Sequence, residues 1–317
     1  MNIGIKTGIL SIRVPNNYDL NLFFNKLNEY FYDNKIEIFK CIKYNINENK
    51  YYKNLYSNNN YINLINKEAK SKSNEEVFNY VGLFKNIIEK HKQKYYNYDL
   101  FVGVLEAKGH VDPNGIAFRE HNLNNKKIKW KDSWFYDEKV SDHANVIAEI
   151  TIGSEYGINS TVNIILAEID SWNGINEEIE YLLNKTTIIN NSWGKNIEQI
   201  GNYLGYNLDA EYYDWYIYRN PELINVISSG NSYDKGFQEI DNLALSRNSI
   251  IVGSLNLKTS KKYFYSQIEN VNNYISVLTP GFYNFKSPIR QDNIDYYFGH
   301  GTSYSAPVVT AIASMLK

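Results

Sequence analysis

The chain of 317 residues has 33 basic and 35 acidic side chains, which gives a formal net charge of −2. The charges are interleaved, which excludes the concentrated basic stripe expected of a nucleic-acid-binding protein, and no stretch reaches the ~18–20 apolar residues of a membrane span. The single cysteine, Cys41, excludes an intramolecular disulfide and fits a reducing compartment. Because residues 1–13 are too short and interrupted for a signal peptide, we expect a cytoplasmic protein.

The first seventy residues predict a small α/β extension. Apolar residues at helical spacing indicate a helix near 20–31, and alternation of apolar and polar residues indicates a strand near 36–46. Residues 50–66 are typical of a connecting loop. A capping box at residues 73–76 then predicts a helix with its apolar face extending to Ile88. We therefore divide the chain into an extension, residues 1–70, and a main domain, residues 71–317.

From residue 100 onward, predicted strands and helices alternate. The strand candidates are the apolar runs 100–105, 162–167, 186–190, 223–228 and 250–254. Helices are predicted from His143 onward and over residues 176–183. This order favours an α/β fold with a mostly parallel central sheet flanked by helices. Side chains that follow such strands meet at the carboxyl edge of the sheet, where ligands usually bind.

A candidate nucleophile lies near the C-terminus, in the segment Gly301-Thr302-Ser303-Tyr304-Ser305-Ala306-Pro307. The Gly-Thr pair predicts a turn that exposes Ser303, and a buried helix follows in which Pro307 occupies the first turn. A hydroxyl at that position lies at the positive end of the helix dipole, which favours an oxyanion beside it. The alternative is that Ser303 is an ordinary helix-capping residue.

A serine nucleophile needs a general base, and we favour His143 among the five histidines. His143 opens a run of small and apolar residues at helical spacing, which predicts an imidazole held at the start of a buried helix. His300 lies in a Gly-His-Gly segment that we interpret as a loop, and His91 lies in a lysine-rich helix end. The alternative is that His143 is merely packed at a helix start.

A candidate oxyanion donor follows the strand at 223–228. That strand leads into Ser229-Gly230-Asn231, which places the Asn231 amide at the carboxyl edge of the predicted sheet. The alternative is that Gly230 and Asn231 simply form a turn.

Five segments in chain order resemble motifs of the subtilisin-like serine proteases, the subtilases. Residues 143–148 resemble the helix start that carries the base, and residues 191–194 resemble the substrate-pairing strand at the S1 pocket. Residues 228–231 resemble the oxyanion segment. Residues 278–281 resemble the Leu-Ala-Pro-Gly turn, and residues 301–307 resemble the nucleophile motif. The resemblance spans residues 102–317 and implies a subtilisin-like three-layer sandwich.

One departure from the family concerns the orienting acid. Subtilases have an aspartate at the end of the first core strand, whereas here the strand at 101–105 ends in Glu106. Glutamate carries the same charge on a side chain one methylene longer, and Asp/Glu interchange occurs in another serine-hydrolase fold. Asp112 is a possible substitute, but it lies beyond the strand end, so we favour Glu106. Ala144 and Val146 also differ from the family motif, and we attribute both changes to packing.

The resemblance implies a serine endopeptidase with a triad of Ser303, His143 and Glu106. It further implies Asn231 as the oxyanion donor, a peptide or protein substrate extended along Ser192, Trp193 and Gly194, and no cofactor. For Trp193, core packing is an equal alternative to a subsite role. The alternative function is a subtilase-fold protein that binds peptides or partners without cleaving them. An α/β-hydrolase is disfavoured because its triad histidine follows the serine, and no histidine follows Ser303.

The remaining features are a loop rich in metal-ligand side chains, the two ends of the chain and the oligomeric state. The donors His110, Asp112, Glu120 and His121 lie close together, but such clusters are usually solvated, and we predict no metal site. Residues 1–70 are either a remnant of an inhibitory propeptide or an unrelated extension, which we slightly favour. Only fourteen residues (317 − 303) follow Ser303, so the domain is either trimmed or part of a longer chain. Oligomeric state is not indicated by the sequence.

Overall fold

The computed structural model describes most of the main domain. The described residues are 85–94, 99–107, 109–118, 128–131, 140–154, 157–169, 175–194, 206, 208–232, 242–256, 261–267, 275–286 and 296–317. All of them belong to the compact unit Asn59–Lys317. The predictions made for residues 1–70 and for the helix start at 73–76 lie outside the described residues, and the division of the chain at residue 70 remains a prediction.

The helices of the described chain mostly follow the predicted pattern. Their bounds are α1 Lys85–Lys94, α2 Asp142–Ile152, α3 Asn176–Leu183, α4 Leu208–Arg219 and α5 Thr302–Leu316, with 3-10 turns at Ile116–Phe118 and Asn242–Leu245. The residues predicted for the α3 helix are those observed. Helix α4 was not predicted, because its buried face is formed largely by tyrosines and not by aliphatic residues at helical spacing.

The strands confirm the alternating pattern and add a C-terminal hairpin. Their bounds are β1 Phe101–Glu106, β2 Ile128–Trp130, β3 Asn163–Glu168, β4 Ile188–Asn191, β5 Ile224–Ser228, β6 Ile250–Asn256, β7 Lys261–Lys262, β8 Val277–Pro280, β9 Phe282–Lys286 and β10 Tyr296–His300. His300, which we expected in a loop, instead ends β10 and pairs with Phe282 in an antiparallel ladder.

Eight of these strands form one sheet in the order β2-β3-β1-β4-β5-β6-β7, with β8 also paired to β6. The pairs β2–β3, β3–β1, β1–β4, β4–β5, β5–β6 and β6–β8 are parallel, and only β6–β7 is antiparallel. Such a mostly parallel sheet is buried on both faces by helices. The carboxyl ends of β1, β4 and β5 therefore lie at one edge.

The two faces of the sheet pack against different helices. On one face, Val102 and Val104 of β1 pack with Ala144 and Ile147 of α2. On that face Val226 and Val252 also pack with Ala306 of α5, and α2 and α5 pack together through a shared cluster. On the other face, Leu105, Ile189 and Ile227 pack with residues of α3 and α4, among them Ile179, Leu182 and Tyr213. The fold is therefore the predicted three-layer α/β sandwich.

Helix α5 begins earlier than the sequence suggested. It starts at Thr302, so Pro307 lies inside the helix and not in its first turn. In the segments described, no helix combines the length and apolar character needed to cross a membrane.

Candidate active site

Glu106 and His143 are hydrogen-bonded at the carboxyl edge of the sheet. The Glu106 Oε2 atom lies 2.8 Å from the His143 Nδ1 atom. Glu106 is 3% exposed, whereas 35% of the His143 side chain remains accessible. The carboxylate therefore fixes the Nδ1 side of the ring in a buried position and leaves the imidazole open to the surface of the domain.

Helix α2 provides a rigid mount for His143, which is its second residue. The Ser141 hydroxyl caps the helix by accepting the N–H of Ala144 at 3.3 Å, and Asn145 Nδ2 donates to the Ser141 carbonyl at 2.8 Å. Every residue from Ala144 to Ile152 is buried. Because the helix behind it is enclosed, the position of the His143 backbone is set by packing on both sides.

The backbone just after Glu106 is bound by carboxylates at the ends of neighbouring strands. Glu106 Oε1 accepts the N–H of the next residue, Ala107, at 2.8 Å. Glu168, which is in register with Glu106 on the neighbouring strand, accepts the N–H of Gly109 at 3.0 Å. Gly109 has a φ of 81°, a left-handed conformation that favours glycine. Two carboxylates therefore accept backbone N–H groups just beyond the end of β1, at Ala107 and Gly109.

The electrostatics of His143 follow from these contacts. Burial opposes charging of the imidazole, but the hydrogen bond and the negative charge of Glu106 more than offset it, so the pKa of His143 lies above its usual value of 6.5. The carboxylate thus stabilises an imidazolium at this position.

Ser303 lies in the first turn of α5 and is partly exposed. The turn before it is fixed by Gly301, whose φ of 155° is one that side chains rarely adopt and whose N–H donates to the Gly281 carbonyl at 2.7 Å. Gly281 itself is closely surrounded, since an added Cβ would lie 2.5 Å from the Ser305 hydroxyl. The glycines of two predicted motifs therefore meet behind the candidate nucleophile.

Ser192 is connected to the same helix turn through its side chain. Pro307 has no N–H, so the carbonyl four residues earlier, that of Ser303, lacks its helical donor. The buried Ser192 hydroxyl donates to this carbonyl at 2.8 Å and accepts a hydrogen bond of 2.8 Å from Asn190 Nδ2. Asn190 Oδ1 in turn accepts from Thr310 of α5 at 3.0 Å. The end of β4 thereby completes the hydrogen bonding of α5.

Asn231 lies directly beside the nucleophile segment. Its Oδ1 atom accepts both the backbone N–H of Thr302 at 2.7 Å and the Thr302 hydroxyl at 2.9 Å. The Thr302 hydroxyl also accepts the N–H of Gly230 at 3.1 Å. Because the amide oxygen is used in this way, the orientation of the side chain is defined and its Nδ2 group remains available as a donor.

Tyr304 is a residue of the site that we did not identify from the sequence. Its ring centroid lies 6.0 Å from that of His143, with the planes inclined by 38°. Burial, and then the charges of Asp142 and Glu106, raises the pKa of the Tyr304 hydroxyl to about 12. The phenol therefore stays neutral beside the imidazole. In the sequence, only the position of Tyr304 directly after Ser303 indicated that its ring could lie near His143.

The structure brings most of the predicted site residues to one region. Glu106 contacts His143, Tyr304 links His143 to the Ser303 turn, and Asn231 and Ser192 both bond to that turn. Among the hydrogen bonds between described residues, none joins the Ser303 hydroxyl to His143. Catalytic hydrogen bonds are often long before substrate binds, so the lack of this hydrogen bond does not exclude proton transfer between Ser303 and His143.

The remaining predicted residues have different environments. Trp193 packs against the apolar cluster under α3 and α4, which agrees with the core-packing alternative, and Gly194 is exposed. His110 and Asp112 are described, whereas Glu120 and His121 lie outside the described residues. Within the described ranges, no group of three or more His, Cys, Asp or Glu side chains is arranged to hold a metal ion.

The chain has the sandwich fold of a serine peptidase, with a serine, a histidine and a carboxylate near the carboxyl edge of its sheet. Residues 90–317 match the Subtilase family, and the chain belongs to this family. It is thus a subtilisin-like serine peptidase.

Solved structures of low sequence identity share the fold. The prenylagaramide maturation protease PagA has a TM-score of 0.57 at 19% identity, covering 72% of this chain and 79% of that one. The PatG macrocyclase in complex with peptide has a TM-score of 0.55 at 14% identity and the same coverage. A cold adapted subtilisin-like serine proteinase has a TM-score of 0.50 at 17% identity, covering 69% and 76%. No curated protein matches the chain significantly in sequence.

Proposed function

We propose that the chain is a serine endopeptidase in which Ser303 is the nucleophile, His143 the general base and Glu106 the orienting acid. The observation that carries this proposal is the 2.8 Å contact between the buried Glu106 carboxylate and His143 Nδ1. A glutamate in place of the family aspartate was the main argument for an inactive protein. The contact at hydrogen-bonding distance supports the active alternative.

The first step is proton transfer from Ser303 to His143. With Nδ1–H donated to Glu106, the Nε2 atom of the neutral ring is unprotonated and accepts the hydroxyl proton as the Ser303 oxygen attacks a peptide carbonyl. The imidazolium that results is stabilised by its hydrogen bond to the Glu106 carboxylate. General-base catalysis of this kind contributes typically ~10²–10⁴-fold.

The oxyanion of the tetrahedral intermediate needs donors that are oriented before reaction. Asn231 Nδ2 supplies one, because the amide oxygen is already engaged by Thr302. The Ser303 backbone N–H, in the first turn of α5, supplies the second at the positive end of the helix dipole. Loss of one such donor typically costs ~10²–10³-fold in turnover.

The second half of the reaction follows the same path in reverse. His143 returns the proton to the leaving amine, which departs and leaves an acyl ester on Ser303. A water molecule then takes the place of the amine, loses a proton to His143 and attacks the ester, and His143 passes that proton to the Ser303 oxygen as the acyl bond breaks. The products are a new carboxyl terminus and the free Ser303 hydroxyl.

A peptide or protein substrate would lie extended along residues 192–194. The backbone there follows the carboxyl end of β4 and leads out to the exposed Gly194, so a peptide could add as a strand. The Ser192 side chain is occupied by Ser303, so its contribution to substrate binding is limited to its backbone. PatG, a structure of the same fold, is a macrocyclase in complex with peptide, which is consistent with a peptide ligand.

The direct test is covalent labelling with a fluorophosphonate probe, read out by intact mass, with Ser303→Ala as the matched control. We expect one adduct on the wild-type chain and none on the variant. Hydrolysis of a peptide library, again compared with Ser303→Ala, would then define cleavage specificity. A folded protein that forms no adduct and cleaves no peptide would contradict the proposal and favour a binding protein with the same fold.

A further inference from the structure

A cavity of about 370 Å³ lies between α3 and α4, and the proposed mechanism does not use it. It is lined by Asn176, Glu180, Glu211, Tyr212, Trp215 and Tyr216. Both helices pack on the face of the sheet opposite to α2 and α5, which carry His143 and Ser303. A ligand in this cavity would thus be separated from the candidate active site by the sheet.

The walls of the cavity are aromatic and accessible. Trp215 is 46% exposed and Tyr212 is 38% exposed, which is unusual for rings of this size. The Trp215 and Tyr216 rings meet edge to face, with centroids 4.9 Å apart. The Tyr216 hydroxyl donates to Glu180 Oε1 at 3.1 Å. The rings are therefore held in place and offer π faces together with a carboxylate.

Two carboxylates line the cavity, and the Arg219 guanidinium stacks on its Trp215 wall. Glu180 and Glu211 both line it, and neither forms an ion pair with any residue in the part of the chain that is described. Aromatic faces and carboxylates both attract cations, and their combination is the composition of known cation-binding cages. The complementary ligand is therefore a cation and not an anion or a purely apolar group.

The chain's own Arg219 already stacks on one of the cavity's rings. The guanidinium carbon of Arg219 lies 4.8 Å from the centroid of the Trp215 ring. A second pair nearby in the chain repeats the arrangement, with Arg247 at 4.9 Å over Tyr206. A planar guanidinium can stack on an aromatic ring and pair with a carboxylate at the same time, which an ammonium group does less well.

We propose that this cavity binds an arginine side chain of a peptide segment in a partner or substrate protein. The guanidinium would stack against Tyr212 and the Trp215 face that Arg219 does not cover, and pair with Glu211 and Glu180. The site is independent of the triad, since it shares none of the residues assigned there. A peptide bound here would tether its protein to the domain without presenting this arginine to Ser303.

The experiment uses the full chain carrying Ser303→Ala, which prevents cleavage of the probe. The probe is the pentapeptide acetyl-Gly-Gly-Arg-Gly-Gly-amide, and its partner has citrulline, a neutral isostere, in place of arginine. Binding is measured by titration calorimetry at low salt. We expect the arginine peptide to bind at least about fivefold more tightly than the citrulline peptide. A higher salt concentration should weaken the binding of the arginine peptide but not that of the citrulline peptide.

Matched variants assign the binding to this cavity. Trp215→Ala and Glu211→Gln should each weaken binding of the arginine peptide about two- to fivefold, the change expected for an exposed cation–π or charge contact. Tyr218→Ala, at a residue 83% exposed on the same helix, and Glu222→Gln, just beyond that helix, should leave it unchanged. Equal affinity for the two peptides, no binding, or unchanged affinity in folded Trp215→Ala and Glu211→Gln proteins would overturn the proposal.

Discussion

The Ser192 hydroxyl donates a hydrogen bond of 2.8 Å to the Ser303 carbonyl, the acceptor that Pro307 leaves without a helical partner. The bond joins the end of β4 to the residue proposed as the nucleophile. It also explains how a proline can lie within α5 without leaving the partly buried Ser303 carbonyl unpaired.

Replacing Ser192 by alanine should therefore weaken both stability and activity. An unpaired buried acceptor costs about 1–3 kcal/mol, which denaturant unfolding would measure. Because the Ser303 turn loses a restraint, we also expect the rate of fluorophosphonate labelling to fall about tenfold or more, since small displacements of catalytic groups are costly.

The double variant Ser192→Ala with Pro307→Ala is the control for this prediction. Alanine at 307 restores an N–H to the helix, which can then bond to the Ser303 carbonyl. The loss of stability caused by Ser192→Ala should be smaller in the Pro307→Ala background. If the loss is the same in both backgrounds, the hydrogen bond does not replace the missing helical donor.

Two substitutions at Asn231 should separate its acceptor and donor functions. Asn231→Asp keeps an oxygen for Thr302 but removes the Nδ2 donor, whereas Asn231→Ala removes both. We expect turnover to fall ~10²–10³-fold in both variants, with the larger loss of stability in Asn231→Ala. Turnover near the wild-type rate in Asn231→Asp would exclude Asn231 as an oxyanion donor.

The pH dependence of activity should report the raised pKa of His143. Only the neutral imidazole accepts the Ser303 proton, so the second-order labelling rate should rise with pH through a midpoint above 6.5. Burial lowers this pKa and Glu106 raises it by a larger amount, so Glu106→Gln should move the midpoint to lower pH. A midpoint that is the same in both proteins would show that Glu106 does not control the ionisation of His143.

The raised pKa of His143 also makes the stability of the folded domain depend on pH. Because the folded protein binds the His143 proton more tightly than the unfolded chain does, the contribution is fully present below about pH 6.5 and is lost as pH rises through the folded pKa. Denaturant unfolding across this pH range should show that the free energy of unfolding of the wild type declines as pH rises. The decline should be smaller in His143→Gln.

Gly281→Ala should destabilise the domain by about 1–3 kcal/mol, a typical cost of overpacking. The added Cβ would lie 2.3 Å from the Ser254 hydroxyl and 2.5 Å from that of Ser305, so the residues around Gly281 must shift. Urea unfolding should show a lower midpoint with an unchanged slope. Gly115→Ala, whose nearest contact would be 3.1 Å, should cost less. Equal losses in the two variants would contradict the close approach.

Much of the fold was predictable because its apolar runs are aliphatic and regularly spaced. The central strands and α3 were located from this pattern alone. Helix α4 was missed because its buried positions include Tyr213 and Tyr216, and tyrosines are frequent on both sides of this helix. The start of α5 at Thr302 was missed because a proline within six residues suggested a helix start, and its compensation by Ser192 is a long-range contact.

The candidate site was predicted as a set of residue types but not as a set of contacts. Motif spacing indicated Glu106, His143, Asn231 and Ser303, each following a strand or opening a helix. Whether the longer acid reaches His143 depends on the packing of α2 against β1, which brings together residues 37 apart in the chain. The ring contact of Tyr304 likewise depends on the packing of α2 against α5.

The proposed orientation of His143 by Glu106 is measured by the fluorophosphonate labelling rate constants of three proteins. Fluorophosphonate labelling of the wild type is compared with Glu106→Gln, which keeps shape but loses the charge, and Glu106→Asp, which keeps the charge on a shorter side chain. We predict a fall of about 10³–10⁴-fold in Glu106→Gln, as found where a triad acid loses its charge, and a smaller fall in Glu106→Asp. A folded Glu106→Gln protein labelled at the wild-type rate would show that Glu106 does not orient His143 for catalysis.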